Sequence, residues 1–252
     1  MHPTVDLGFT EISLYTALVF MGAVLGLAAA FLFLQKYSRR VYTLSLFLDA
    51  ALVTFAAGWV GAKAYHLALN WEYYAARSEQ ILNWEAGGLA MRGAFIAGAI
   101  ALAIFARVRR VSFGRIADAA GLGLALGQAI GWVGALVQGA NYGAVSDSVI
   151  ALELPNAYGI VEPRVPLQYI AITLYAFLFV GLLILASRQP RAGALFTAYL
   201  ALASLGNFAL GFLRGDVSMM VGGWRVDQIV DAAFAVGAVI YGASLRRARE
   251  CA

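Results

Sequence analysis

Long apolar runs separated by short polar segments set the architecture of this chain. Seven runs stand out: Ile12 to Leu34, Leu44 to Leu69, Leu89 to Ala106, Ile116 to Val137, Leu167 to Ala186, Gly193 to Leu213 and Val226 to Leu245. The first, of 23 residues, makes roughly 34 Å of helix against a hydrocarbon core about 30 Å thick. The third is the shortest in purely apolar terms. The pattern predicts an all-α membrane protein of about seven transmembrane helices, with residues 1–252 forming a single polytopic domain.

The polar segments give the expected orientation. Lys36/Arg39/Arg40, Arg107/Arg109/Arg110/Arg115, Arg188/Arg191 and Arg246/Arg247/Arg249 mark every second connection and the C-terminal tail, placing 12 of the 18 basic residues on one side with Glu250. Asp6, Glu11, Glu72, Glu79, Glu85, Asp147, Glu153, Glu162, Asp216 and Asp227 fall on the other. Basic residues stay cytoplasmic, so the N-terminus is expected outside and the C-terminus inside. Asp6 and Glu11 before the first run, with Lys36, Arg39 and Arg40 after it, are reversed for a cleavable signal peptide, so none is expected. The longer segments, 70–86 with its aromatic residues and 138–166, fall outside and are expected to form a small cap.

Composition agrees with the pattern. The chain is 62% hydrophobic and 13% charged, with mean hydropathy +0.77, whereas soluble domains are nearer a quarter charged. A pI near 9.3 would suit nucleic acid if the basic residues shared one face. They are dispersed between apolar runs, so no nucleic-acid partner is expected. The single cysteine, Cys251, is penultimate and fits no prenylation box. No metal or cofactor is expected.

One repeat is literal: Gly58-Trp59-Val60-Gly61-Ala62 recurs as Gly131-Trp132-Val133-Gly134-Ala135. Small residues three apart let helices approach closely, and both copies read as packing devices.

Ionisable groups inside a bilayer are costly and each needs a partner. Lys63 reads as a snorkelling residue, and His66, one turn on, as an interfacial hydrogen-bonding group or a base. Asp49 and Asp118 read as structural carboxylates near helix starts. Arg92, Arg164, Arg214 and Arg225 are expected at the outer surface. Their forks match phosphate geometry, so an anionic phospholipid headgroup is one expected ligand, and pairing with Glu85, Glu162, Asp216 and Asp227 is the other reading.

Several segments, in order, resemble the prolipoprotein diacylglyceryl transferases. Trp84 to Ala94 resembles the family's Trp-acid-Gly-Gly segment running into His-Gly-Gly. Gly131 to Gly143 aligns without gaps on Gly-Arg-x-Gly-Asn-Phe-x-Asn-Gly-Glu-x-Tyr/Trp-Gly. Arg164 to Gln168 resembles Arg-His-Pro-Ser-Gln, Asn207 to Arg214 resembles Arg-x-x-x-Glu-Phe-x-Arg, and Asp227-Gln228-Ile229 resembles the Gly-Gln-Ile opening the last helix. The resemblance implies a multi-pass protein of the bacterial inner membrane. It implies transfer of diacylglyceryl from phosphatidylglycerol to a lipobox cysteine, with a prelipoprotein signal peptide as second partner. It also marks Arg92, Gln138, Arg164, Gln168, Arg214 and Gln228 as candidate lipid-binding residues.

The departures are equally specific. Arg92 stands at the family's histidine, Trp132, Ala135 and Ala140 at an arginine, an asparagine and a glutamate, Trp59 at an arginine of a second Gly-Arg-like segment, and Asn207 and Gly211 at a further arginine and glutamate. Thiol transfer needs a base and cations for the leaving phosphate. The catalytic residues are therefore left unassigned. A remodelled transferase, a non-catalytic binder of anionic lipid or lipoprotein, and a structural subunit all stand as expectations.

Overall fold

The computed structural model of the protein describes residues 4–6, 11–38, 41–83 and 88–250. His2, Arg39, Arg40, the segment from Trp84 to Gly87 and Cys251 lie outside the described residues, as do the side chains of residues 246–250.

Among the described residues seven helices are long and apolar enough to cross a membrane, and the chain is a multi-pass membrane protein. They are α1 (Leu14–Ser38), α2 (Leu44–Leu69), α4 (Met91–Val108), α5 (Phe113–Gln138), α6 (Leu167–Ser187), α7 (Ala194–Gly211) and α8 (Val226–Glu250). A short helix, α3 (Trp71–Ala75), lies within the expected aromatic segment. A 3-10 turn (Ser78–Gln80) and three antiparallel hairpins complete the described elements: β1–β2 (Thr4–Asp6, Glu11–Ser13), β3–β4 (Leu152–Pro155, Val161–Arg164) and β5–β6 (Met220–Val221, Trp224–Arg225). The outward faces of the long helices stay apolar, as a lipid solvent requires: Phe20, Leu52, Phe55, Phe177 and Val239 are all exposed.

The chain divides into two compact units, Met1–Tyr37 with Ala117–Ala252, and Ser38–Ile116. In the first, α1 and α5 meet backbone to backbone. A Cβ added at Gly22 would lie 2.8 Å from Gly127 O, and one at Gly26 2.5 Å from Gly123 O, so neither glycine tolerates a side chain. Leu167, Ala171 and Leu210 form a buried cluster against which Trp132, Leu174 and Leu213 pack. Asp118 on α5 is fully buried, and its carboxylate accepts from Gly193 N at 2.8 Å and Phe196 N at 2.9 Å. It is structural, as expected, but it caps the start of α7 rather than serving its own helix.

In the second unit, α2 packs on α4 through Gly61 and Gly93. Thr43 caps α2, its Oγ1 accepting from Leu46 N at 3.3 Å. Asp49 pairs with Arg109. Lys63 departs from the snorkelling expectation. It is 3% exposed, donates to Asn83 O at 2.9 Å, and lies 5.5 Å from the centre of the Tyr74 ring. A backbone carbonyl 20 residues away captures the ammonium before it can reach solvent. The His66 ring stands edge-on to Tyr74 and against Gly88.

The repeated pentapeptide has diverged in use. Gly58 and Gly61 both face α4, but in the second copy only Gly134 is in close contact, with Tyr15 and Leu18 of α1, while Gly131 faces open space. Trp59 is exposed beside Phe55. Trp132 is packed into the first unit's apolar cluster.

Candidate functional site

The candidate residues of the first unit gather around the segment leaving α5. That helix closes with Gly139 N donating to Leu136 O and Ala140 N to Ala135 O, and Gly139 adopts φ +67. A side chain at Gly139 would also run into Asn156 O, 2.5 Å from the Cβ position. The next residues are stitched on both sides. Ala144 N donates to Leu213 O and Gly215 N to Tyr142 O, both at 2.9 Å, and Val165 N donates to Ala144 O at 3.0 Å. Gly143 sits so close beneath Val165 O that any Cβ would collide with it.

Four polar side chains finish the knot. Arg214 donates from Nη2 to Asn141 Oδ1 at 3.0 Å and from Nε to Asp216 Oδ1 at 2.7 Å, forms a second hydrogen bond to Asp216, and lies 3.5 Å from Asp227. Arg164 is buried, pairs with Glu162, donates to Gly143 O at 3.3 Å, and stacks 4.8 Å from the Tyr142 ring centre. Gln168 donates to Ala140 O at 3.1 Å, and Gln228 to Phe208 O at 3.1 Å. Arg225 joins them, donating to Ser218 Oγ at 2.8 Å and to the carbonyls of Arg214 and Asp216, each at 3.0 Å, with Asp216 Oδ1 3.6 Å away.

Burial opposes the Arg214 charge, but the hydrogen bond to Asp216 and the charges of Asp216, Asp227 and Asp231 outweigh it, so its pKa is raised above the ordinary arginine value. The guanidinium stays charged at every working pH. Two buried atoms in the knot, Arg164 Nε and Gln168 Oε1, have no hydrogen-bond partner among the described residues. An unmatched donor and an unmatched acceptor four positions apart leave limited capacity for a small polar group.

Arg164, Gln168, Arg214 and Gln228 are therefore brought together. Gln138 ends α5 and makes no side-chain hydrogen bond among the described residues. Arg92 stands at the start of α4 in the second unit. The pairing reading of the arginines is met at Glu162, Asp216 and Asp227, while Glu85 is outside the described residues. Tyr142 and Ser218 were not singled out from the sequence. Asp216, two residues after Arg214, was legible as a neighbour but not as a carboxylate shared with Arg225.

The comparisons follow the same path along the chain. The family model described as prolipoprotein diacylglyceryl transferase matches residues 3–243. The chain belongs to this family. Proteins named phosphatidylglycerol–prolipoprotein diacylglyceryl transferase are similar to it throughout. The Bacillus cereus (strain G9842) relative is 34% identical over 94% of this chain and 89% of its own length. That of Thermosynechococcus vestitus is 32% identical over 93% and 89%, and that of Clostridioides difficile (strain 630) 30% identical over 91% and 89%.

Four of the positions at which the chain departs from the signature it resembles make defined contacts. Trp132 fills the apolar cluster of Leu167, Ala171 and Leu210. Asn207 Oδ1 accepts from Tyr175 OH at 3.0 Å. Gly211 is covered by the Gln228 side chain, whose Cγ lies 2.6 Å from where a Cβ would stand. Ala140 offers its carbonyl to Gln168.

Proposed function

We propose that this protein acts in the bacterial plasma membrane as a remodelled diacylglyceryl transferase, taking phosphatidylglycerol and a prelipoprotein as substrates. Its N-terminus and the segments 70–86 and 138–166 lie on the outer side, where a lipobox cysteine is presented. The reading is carried by one observation: segments 139–143, 164–168, 207–214 and 227–228, far apart in sequence, converge on one hydrogen-bonded knot. The reaction forms a bond from the cysteine sulfur to the glyceryl carbon and breaks that carbon's bond to the phosphate oxygen. The thiol proton passes to a base, and glycerol phosphate leaves with the electron pair.

Arg164, Gln168, Arg214 and Gln228 are the proposed headgroup residues, with Arg92 and Gln138 belonging to the same proposed set. Arginine can trade a carboxylate for a phosphate, since both match its fork. Here that exchange must displace Glu162 or Asp216, which weakens the electrostatic help available to the leaving group. The repacking around Trp132 and Gly211 favours a second reading, in which the protein holds phosphatidylglycerol or a lipoprotein without turning it over.

The test uses the purified protein in phosphatidylglycerol liposomes with a labelled lipobox peptide, scored for thioether formation by mass spectrometry beside an active relative. A diacylglyceryl adduct that disappears with the Cys→Ser peptide supports transfer. Retention of lipid or peptide without an adduct supports the second reading.

A further inference from the structure

At the opposite end of α7 the arginines are differently placed. Arg188 and Arg191 lie in the connection between α6 and α7, and both are exposed. Arg191 Nη1 donates to Leu245 O at 3.3 Å, and among the described residues neither arginine has a carboxylate partner. The nearby carboxylate of Asp118 is buried and committed to Gly193 N and Phe196 N. This end is therefore locally cationic.

Arg191 also lines a groove between α7 and α8 of about 380 Å³. Its walls are small and apolar, formed by Ala194, Thr197, Ala198, Ala201 and Gly242, with Leu245 beside the arginine. Ala198 is shared with a second apolar groove of about 180 Å³ between α6 and α7, which reaches Leu202 and Gly181. From Ala194 to Leu202 the two extend roughly 12 Å along the helix axis. Two apolar grooves that share Ala198, one of them lined by an exposed guanidinium with no carboxylate partner among the described residues, match a ligand with a hydrocarbon tail and an anionic head. Guanidinium forks favour phosphate over other anions at such a site.

We propose that this groove binds an acyl chain of an anionic phospholipid whose phosphate is held by Arg191 and Arg188. The site is distinct from the knot at Arg214, which lies beyond the far end of α7, more than about 26 Å along the axis. It does not depend on transfer activity. The occupant is a lipid rather than a second copy of the chain because the groove is lined mainly by small apolar side chains, with Arg191 the one charged residue among its described lining.

The full-length protein in nanodiscs is exposed to phosphatidylglycerol carrying a photoreactive group in its acyl chain, and separately to the matched phosphatidylcholine. The expected result is labelling of peptides covering residues 194–202 and 242–245 by phosphatidylglycerol, displaced by unlabelled phosphatidylglycerol. Ala198→Phe should fill both grooves and abolish that labelling. Arg191→Gln should lower the preference for phosphatidylglycerol by about tenfold, the loss expected for one charge-assisted contact. Equal labelling by the two lipids, labelling unchanged by both variants, or cross-linking of the groove to a second copy would overturn the proposal. Should Ala198→Phe fail to fold, Arg191→Gln, at an exposed position, decides alone.

Discussion

The first unit carries arginines at both ends of α7, and they do opposite work. At one end Arg164, Arg214 and Arg225 are half or fully buried, and each is matched to a carboxylate, with Arg164 and Arg225 also donating to backbone carbonyls and Arg214 to Asn141. At the other, Arg188 and Arg191 are exposed and face no carboxylate among the described residues. The same side chain is thus a staple in one place and an open charge in the other. Burial decides which. A buried guanidinium must be neutralised and hydrogen-bonded where it sits, and once this is done little of its field remains for a ligand. An exposed one keeps its field at the cost of screening. Arginine count alone therefore locates no anion site in this protein.

Removing the staple should have the largest effect. Arg214→Ala takes from Asp216 and Asp227 the guanidinium they share, leaving Asp216 only its longer pair with Arg225, and releases the bond to Asn141 that ties segment 139–143 to segment 213–216. Breaking a mostly buried ion pair from one side costs about 3 kcal/mol, which should appear as a marked fall in the thermal midpoint in detergent. Arg214→Lys should recover part of it, because a lysine keeps the charge but not the fork. A midpoint unchanged by Arg214→Ala would mean the knot is not held by this residue.

Gly143→Ala should come next. Its Cβ would collide with Val165 O, a backbone atom already fixed by neighbouring hydrogen bonds, so segments 139–146 and 163–168 must move apart. Overpacking of this kind costs about 1–3 kcal/mol, and the variant should show faster proteolysis between residues 138 and 166. Asp118→Ala should cost about 1–2 kcal/mol by leaving the Gly193 and Phe196 amides without their acceptor. Asp118→Asn, with one acceptor oxygen, should lie between it and the parent.

Much of this was legible in the sequence, and the reasons for what was not are physical. The seven spans follow from apolar length, because lipid permits few alternatives to a helix. Ends differ by a few residues, as at α5, which begins at Phe113 rather than Ile116. Four of the five segments that carry the family resemblance meet in space. What the sequence left open was pairing over distance. Lys63 finds its acceptor 20 residues away, and Asp118 caps amides 75 and 78 residues on. Such partners depend on which helix faces which, and periodicity along one helix does not carry that. The repeated pentapeptide makes the point most directly: identical residues give Trp59 an exposed face and Trp132 a packed one.

The smallest expected effect sharpens the comparison from the other side. Arg188→Gln with Arg191→Gln removes two exposed charges with no carboxylate partner among the described residues, so the stability of the purified protein should change by less than about 0.5 kcal/mol. Measured beside Arg214→Ala in the same detergent, this double variant separates guanidinium groups that hold the fold from those that do not. A large loss would place hidden structural partners at the α6–α7 connection and erase the contrast between the two ends. Near-parent stability, together with an Arg214→Ala variant that melts early, would leave burial as the variable that sets the role of arginine here.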